Sequence, residues 1–341
     1  MNSPLLATPG AVPAAGLDAG VAAHYGDPVR EQRAMARAAG LVDRSHRGVV
    51  SVTGPDRLSW LHSLTSQHLE ALAAGSTAQA LILDPNGRVE HHLTLTDDGT
   101  TAWIHVEPGT APSLVGFLDS MRFMLRVEVA DVTGDYAVLT VAGPDAATAA
   151  APLAAVAAGQ TEGPVGSDYL VSREQLADLA AAAQHNGAQL AGTWAYEAFR
   201  IAAHQPRYGL DTDHKTIPHE VGWIESAVHL SKGCYRGQET VARVHNLGHP
   251  PRRLVFLHLD GSVDRLPEHG DEVELDGRAV GFVGSAARHF ELGPIGLALV
   301  RRTVPVDQTL VAGGVAAAQE VIVPPDAGAN VTIDRSAFAR R

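Results

Sequence analysis

Apolar positions along the chain switch repeatedly between a helical and a strand period. Asp27-Pro28 opens V-R-E-Q-R-A-M-A-R-A-A, closed by Gly40. Asp27 can cap, Pro28 suits the first turn and Gly40 the residue after the last, which predicts a helix. Leu41–Thr53 reads as a strand interrupted by the polar run D-R-S-H-R, and Pro55–Leu72 carries Leu58, Leu61 and Leu64 at the spacing of an amphipathic helix. Gln79–Thr96 is a hairpin turning at Pro85-Asn86-Gly87. Strand alternation puts Val89, His91, Leu93 and Leu95 on one face and Glu90, His92, Thr94 and Thr96 on the other. Further strands are predicted at Ala102–Val106, Leu125–Val129, Tyr136–Val141 and near Tyr169–Val171. Helices are predicted at Pro112–Met121, in the Ala-rich stretch 146–158, from Ser172 to Gly187 and at Gly192–His204. Ser172 with Gln175 has the spacing of a capping box.

Interleaved helices, strands and hairpins indicate an α+β fold of two units with largely antiparallel sheets. The pattern changes after Arg243. Arg252–Asp260, Glu272–Leu275, Arg278–Gly284, Ile295–Arg302 and Glu320–Val323 are short strand signals with little helix between them, which suggests a C-terminal β-barrel. The expected division is a loose tail (1–24), a central region of two α+β units, interleaved in sequence (25–249), and the barrel (250–341), with His249-Pro250-Pro251 at the last boundary.

A length of 341 residues is more than one core usually serves. The net charge of −12, with no basic run to offset it, argues against nucleic acid as a direct ligand. The single cysteine excludes an intrachain disulfide and fits a reducing cytoplasm. Met1–Gly16 lacks the basic start of a secretory signal, and no apolar run is long enough to span a membrane.

The candidate chemistry gathers at Ser231–Arg243, S-K-G-C-Y-R-G-Q-E-T-V-A-R. Gly233 and Gly237 free the backbone and leave room for close approach. Cys234 can be read three ways: a nucleophile whose thiol is activated by Lys232, one ligand of a shared metal or iron–sulfur centre, or a buried turn cysteine. Arg200, Arg207, Arg236 and Arg243 flank polar, glycine-marked segments; they suit an anionic small ligand, or ordinary surface salt bridges. His91 shares a face with aliphatic residues, as a core-edge histidine or a site residue. No metal site is expected: His91 and His92 point apart, and Gly248 and Pro250 argue against a helix holding His245 with His249. Phosphate-loop, zinc-protease and nucleophile-elbow motifs are absent from the sequence.

K-G-C-Y-R-G-Q-E (Lys232–Glu239) resembles the signature of the YgfZ-type folate-binding proteins, relatives of the glycine-cleavage T-protein, a tetrahydrofolate-dependent aminomethyltransferase. R-I-A-A-H-Q-P-R-Y-G-L-D (Arg200–Asp211) resembles a segment shared by both groups, L-V-D-R-S-H-R-G (Leu41–Gly48) an early T-protein motif, and G-F-V-G-S-A with I-G-L-A-L-V their C-terminal barrel. The resemblance covers roughly residues 25 to 310. It implies two α+β units and a barrel around a folate-sized cavity. The role it implies is support of iron–sulfur cluster assembly or repair in client enzymes, including those that thiolate tRNA. It also implies a reduced folate held near Arg200, Tyr208 and Asp211, with Asp168 a candidate for the pterin edge. The functional loop would be Lys232, Gly233, Cys234, Tyr235, Gly237, Gln238 and Glu239, with Cys234 facing a cluster, a sulfur species or a redox partner. The sequence departs from the T-protein where the hairpin carries His91-His92 in place of paired aspartates, one of them essential to the folate reaction. It departs again at Ala202 and His204. Aminomethyl transfer or demethylation, and a binding module without folate, are the alternatives.

Overall fold

Two strands only four residues apart, Gly40–Asp43 and Gly48–Thr53, enter different sheets. The computed structural model describes residues 1–330. Gly40–Asp43 pairs with Tyr136–Ala142 in a five-stranded sheet that also holds Gly159–Glu162, Ser167–Ser172 and Gln189–Ala191. Gly48–Thr53 pairs with Thr101–Val106 in a second sheet, with Thr77–Leu83, Val89–Asp97 and Glu128–Asp131. The R-S-H-R part of the run (44–47) is therefore a crossover, because its arginines and histidine have no place in either apolar strand. It delivers Arg44, His46 and Arg47 to the junction of the two sheets. The pairing is antiparallel except between Gln189–Ala191 and Gly40–Asp43. Six strands close a barrel: Arg252–Leu259, Glu272–Leu275, Arg278–His289, Gly293–Arg301, Leu310–Ala312 and Val315–Val321. The α+β class with a C-terminal barrel is as expected.

The first helix, Pro28–Arg37, begins as its sequence dictates: Asp27 accepts from the amides of Val29 and Arg30, both at 3.0 Å. Other expectations give way to tertiary context. The segment expected to be a loose tail packs instead: Leu5, Val21, Ala22 and Ala23 are buried, and the Ser3 hydroxyl donates to Asp43. Its few apolar side chains fill the edge of the first sheet, and Asp18 reaches the junction. The Pro55–Leu72 helix is shorter, at Arg57–Leu64. Ser172 makes no side-chain cap, since a 3-10 turn (Arg173–Gln175) intervenes before the helix Leu176–His185. An unexpected helix, Gln238–Leu247, follows Gly237, its apolar side buried through Val241 and Val244. The last barrel strand starts five residues early, at Val315.

The hairpin alternation also needs one correction. Leu83 pairs with Val89 and Ile82 with His91, so Glu90 is an extra residue in a bulge. The bulge moves Val89 into a cluster with Leu81, Leu83 and Trp223, while Leu93 and Leu95 pack with Ile82 on the other side. Among the described residues no helix is long and apolar enough to cross a membrane.

Candidate functional site

The crossover, the two sheets and the Thr193–Ala202 helix enclose a narrow chamber with about 90 Å³ of free space. Sites for drug-sized ligands run to roughly 300–1,000 Å³, so this chamber takes only part of such a molecule unless its side chains move. Its lining includes Arg44 and Arg47 from the crossover, His92 from the hairpin, and His105 and Glu107 from the next strand and its exit. Asp168, Tyr196, Arg200, Arg207 and Trp223 complete it. These residues come from distant parts of the chain and meet only because the crossover threads one sheet to the other.

Most of the charge here is already bonded within the protein. Arg200 is 3% exposed and donates to Glu197 at 2.6 Å, Asp211 at 2.8 Å, Ser285 at 2.8 Å and the Gln205 carbonyl. Arg207 donates to Glu107 at 2.8 Å, Glu197 at 2.9 Å and Asp18 at 3.0 Å. Burial opposes the charge on both arginines, but the surrounding carboxylates outweigh it and hold both firmly protonated. Asp211 is fully buried and also accepts from Ser285 at 2.6 Å and the Arg207 amide, so it ties the helix exit to the barrel.

The open valences lie at one end. Arg44 donates through Nη1 to both oxygens of Asp168 at 2.9 Å and stacks on Tyr196, 4.2 Å from the ring centre. Burial alone would raise the Asp168 carboxyl, but Arg44 holds it below its ordinary value. Arg47 donates through Nε to His105 Nδ1 at 3.0 Å and through Nη1 to Glu107 at 2.7 Å, which leaves Nη2 without a partner among the described residues. Since Arg47 can only donate, His105 Nδ1 accepts and Nε2 carries the hydrogen. That Nε2 is buried and unpartnered, with Asp168 Oδ2 at 3.5 Å, beyond a good hydrogen bond. Burial pushes His105 down to about 3, so it is neutral. His92 donates to Gln79 at 3.1 Å and stacks on Trp223 with ring centres 4.5 Å apart; burial pushes it down to about 4. His91 points the other way, into the core.

Of the residues implied for folate, Asp168 and Arg200 line the chamber, whereas Asp211 is sealed behind Arg200 and Tyr208 packs on the cluster beside the barrel. His105, Glu107, Arg44 and Trp223 were not singled out from sequence. Each carries a signal only once its neighbours are known.

The cysteine loop stands outside this chamber. The Lys232 ammonium is buried, donating to the carbonyls of His62 and Thr65 and lying 5.0 Å from the Tyr235 ring centre. Burial lowers it to about 8. Tyr235 is buried in the core, and Gln238 reaches back to the Lys232 carbonyl at 3.5 Å. Arg236 pairs with Glu90 at 2.9 Å, at the hairpin bulge. Gly237 has φ +81° and lies so close to the hairpin turn that a Cβ there would stand 2.5 Å from the Asp84 carbonyl oxygen. Gly233 is different: a Cβ would meet nothing within 4 Å. Cys234 is an exposed free thiol, and Glu239 is exposed in the first turn of the following helix. Lys232 and Tyr235 thus pin the loop from below and turn the thiol outward. His249 lies beyond the helix that carries His245, and among the described residues no three His, Cys, Asp or Glu side chains are arranged to hold a metal ion.

Comparison with known proteins agrees with this architecture. Residues 21–164 match the GCVT N-terminal domain and residues 252–333 the glycine cleavage T-protein C-terminal barrel domain. An aminomethyltransferase of Symbiobacterium thermophilum is 28% identical over 76% of this chain and 77% of its own. A putative chloroplastic transferase of Arabidopsis thaliana is 28% identical, and the match spans 75% of this chain and 65% of that protein. A mitochondrial iron–sulfur cluster assembly factor homolog of Mycosarcoma maydis is 28% identical over 62% of this chain and 55% of its own. The crystal structure of the glycine cleavage system aminomethyltransferase from Bartonella henselae superposes with a TM-score of 0.80 at 18% identity, covering 94% of this chain and 96% of that one.

Proposed function

Because the chain is built from the N-terminal and barrel domains of the glycine cleavage T-protein family, we propose that it binds a reduced folate and supports iron–sulfur cluster assembly or repair in client enzymes, with tRNA thiolation affected indirectly. It does so in a reducing, cytoplasmic setting and without aminomethyl turnover. The observation that carries this reading is the side chain the hairpin sends into the chamber. It is His92, a neutral imidazole stacked on Trp223, where the T-protein pattern has an aspartate. A neutral ring offers no fixed negative charge to a developing cation, so the step that the carboxylate assists in an aminomethyltransferase lacks its electrostatic support.

What supports a folate here is the chamber's unsatisfied groups rather than its free space of about 90 Å³. His105 Nε2 and Arg47 Nη2 are donors in search of acceptors, Asp168 is an ionised acceptor, and the indole of Trp223 offers a face for a flat heterocycle. Bound folate would supply its ring edge to Asp168 and His105. The protein's own part is to orient that ring and exclude water from it. The exposed Cys234, pinned by Lys232 and Tyr235, is the group that meets the client.

The test is client iron–sulfur enzyme activity in a deletion strain carrying wild-type or Cys234→Ser protein, with tetrahydrofolate affinity measured by calorimetry on both. Wild type restores activity, Cys234→Ser does not, and both bind folate alike. Catalytic formation of methylene-tetrahydrofolate from a methylated amine donor would overturn the reading.

A further inference from the structure

The helix Ala111–Ser120 runs out into Met121-Arg122-Phe123-Met124-Leu125, where four large apolar side chains face solvent. Phe123 is 83% and Met124 90% exposed, with Met121 at 45% and Leu125 at 41%. Single exposed apolar residues are ordinary, but four in five consecutive positions form a patch. Two of the chain's four methionines stand in it, and methionine adapts its shape to a partner surface.

The segment is held rather than loose. Trp60 donates to the Met121 carbonyl at 3.2 Å, and Asp56 grips Arg126 through its amide at 2.9 Å and its guanidinium at 2.7 Å. Between these clamps Met124 adopts φ +50°, a left-handed backbone that non-glycine residues avoid. A fold that maintains an unfavourable backbone in order to present Phe123 and Met124 to water is displaying them.

The patch is continuous with the cysteine loop. The Arg236 guanidinium lies 5.8 Å from the ring centre of Phe117, one helical turn before Met121, and Arg236 is two residues from Cys234. Above Gly233 the surface is open. Five exposed arginines stand at or near this face on a chain of net charge −12: Arg122, Arg126 and Arg236 pair with Asp119, Asp56 and Glu90 of the chain itself, whereas Arg88 on the hairpin turn and Arg243 on the helix after the loop are the cations left for a partner. Arg88 and Arg243 make no ion pair among the described residues. An acidic surface with an apolar centre is the complement of such a face, and local cations on an otherwise negative chain would steer it there.

We infer that Met121–Leu125 and the Cys234 loop form one docking face for an acidic protein chain that carries an iron–sulfur site. The inference rests on the function proposed above for the partner's identity, but the face itself is tested separately. The apolar knuckle supplies the contact area, Arg88 and Arg243 set the register, and Cys234 is brought opposite the partner's cluster site.

A photo-crosslinking side chain is placed in the full chain, in cells, at Met124, at Cys234 and, as a control, at the exposed Val156. Positions 124 and 234 are expected to capture the same protein, acidic and holding an iron–sulfur site, while position 156 does not. In parallel, Phe123→Ser/Met124→Ser is compared with wild type in the deletion strain. The double variant is expected to keep its thermal midpoint and folate affinity, since neither side chain is buried, and to lose at least tenfold in restored client activity. Capture of different proteins at 124 and 234 overturns the inference. So does capture only of a second copy of this chain or of lipid, or full rescue by the double variant. If the deletion itself leaves client enzymes unaffected, the function proposed above fails, while the crosslinks still decide whether this face docks an acidic partner.

Discussion

In the chamber, Arg44, Arg47, Arg200 and Arg207 and their carboxylates Asp18, Glu107, Asp168, Glu197 and Asp211 are largely buried and bonded to one another. On the cysteine loop the arrangement is inverted: one cation, Lys232, is buried on main-chain carbonyls, and the reactive group, Cys234, is the part left in solvent. In the function proposed above, the chamber holds a small molecule away from water and the loop offers a thiol to something large. A charge removed from the chamber leaves a buried counter-charge behind. A change on the loop disturbs only local geometry. The two regions are therefore predicted to fail differently.

Acid should have the largest effect, through four desolvated histidines of which His92 and His105 belong to the chamber. His91, His92 and His219 are pushed down by burial to about 4 and His105 to about 3. In the unfolded chain each returns to about 6.5. The folded values are the lower ones, so the stabilisation is complete above pH 6.5 and is lost as pH falls towards 4. At pH 5 each histidine forfeits roughly 2 kcal/mol, and the four together on the order of 6–8 kcal/mol, comparable to a typical total stability. Urea unfolding at pH 7.5 and pH 5 measures this directly. A flat profile would mean that these rings are not held neutral in the core.

Arg200→Met ranks next. It leaves the fully buried Asp211 without its guanidinium partner and Glu197 with Arg207 alone, and breaking a buried pair on one side costs about 3–5 kcal/mol. If Arg200 instead served chiefly to grip the ligand, the variant would lose folate affinity and keep its unfolding midpoint. Measuring both in one preparation separates a scaffold residue from a binding one.

What the sequence revealed follows the same division. Features set by neighbours in the chain were legible: the Asp27 cap, the hairpin turn at Pro85–Gly87, the barrel strands and the glycine-framed cysteine. The chamber was not, because His105 and Glu107 stand on one strand and its exit while Asp168 stands on a strand of the other sheet, and nothing local marks them as neighbours. Arg200 shows the limit clearly. A guanidinium in a polar, glycine-marked segment is an attractive anion site until Glu197, Asp211 and Ser285 are seen to occupy its donors. The bulge at Glu90 was hidden for a similar reason, since strict alternation describes the strand well up to the one residue that breaks it. The first 24 residues misled through composition, because four small or apolar side chains suffice to anchor a segment when a sheet edge is waiting.

The smallest effect on stability is expected at Gly237, and it sharpens the contrast most. Alanine there takes on a left-handed backbone and pushes a Cβ against the Asp84 carbonyl oxygen and the backbone of Gly87. Together these cost about 1–3 kcal/mol if the loop stays in place. Relaxation would instead swing the loop away from the hairpin turn, loosening the Arg236–Glu90 pair and the seat of Tyr235. Trp223 of the chamber shares an apolar cluster with Tyr235, but the chamber's ion pairs do not involve the loop, so its charged lining stays in place either way. Gly237→Ala should therefore bind folate as wild type does while restoring little client activity. Its Cys234 should react with a thiol reagent at an altered rate, since the anchors that aim the thiol have moved. Loss of folate affinity in this variant would show that loop and chamber are mechanically coupled through the hairpin. Unchanged thiol reactivity with full client activity would show that the close approach at Gly237 does not set the position of Cys234.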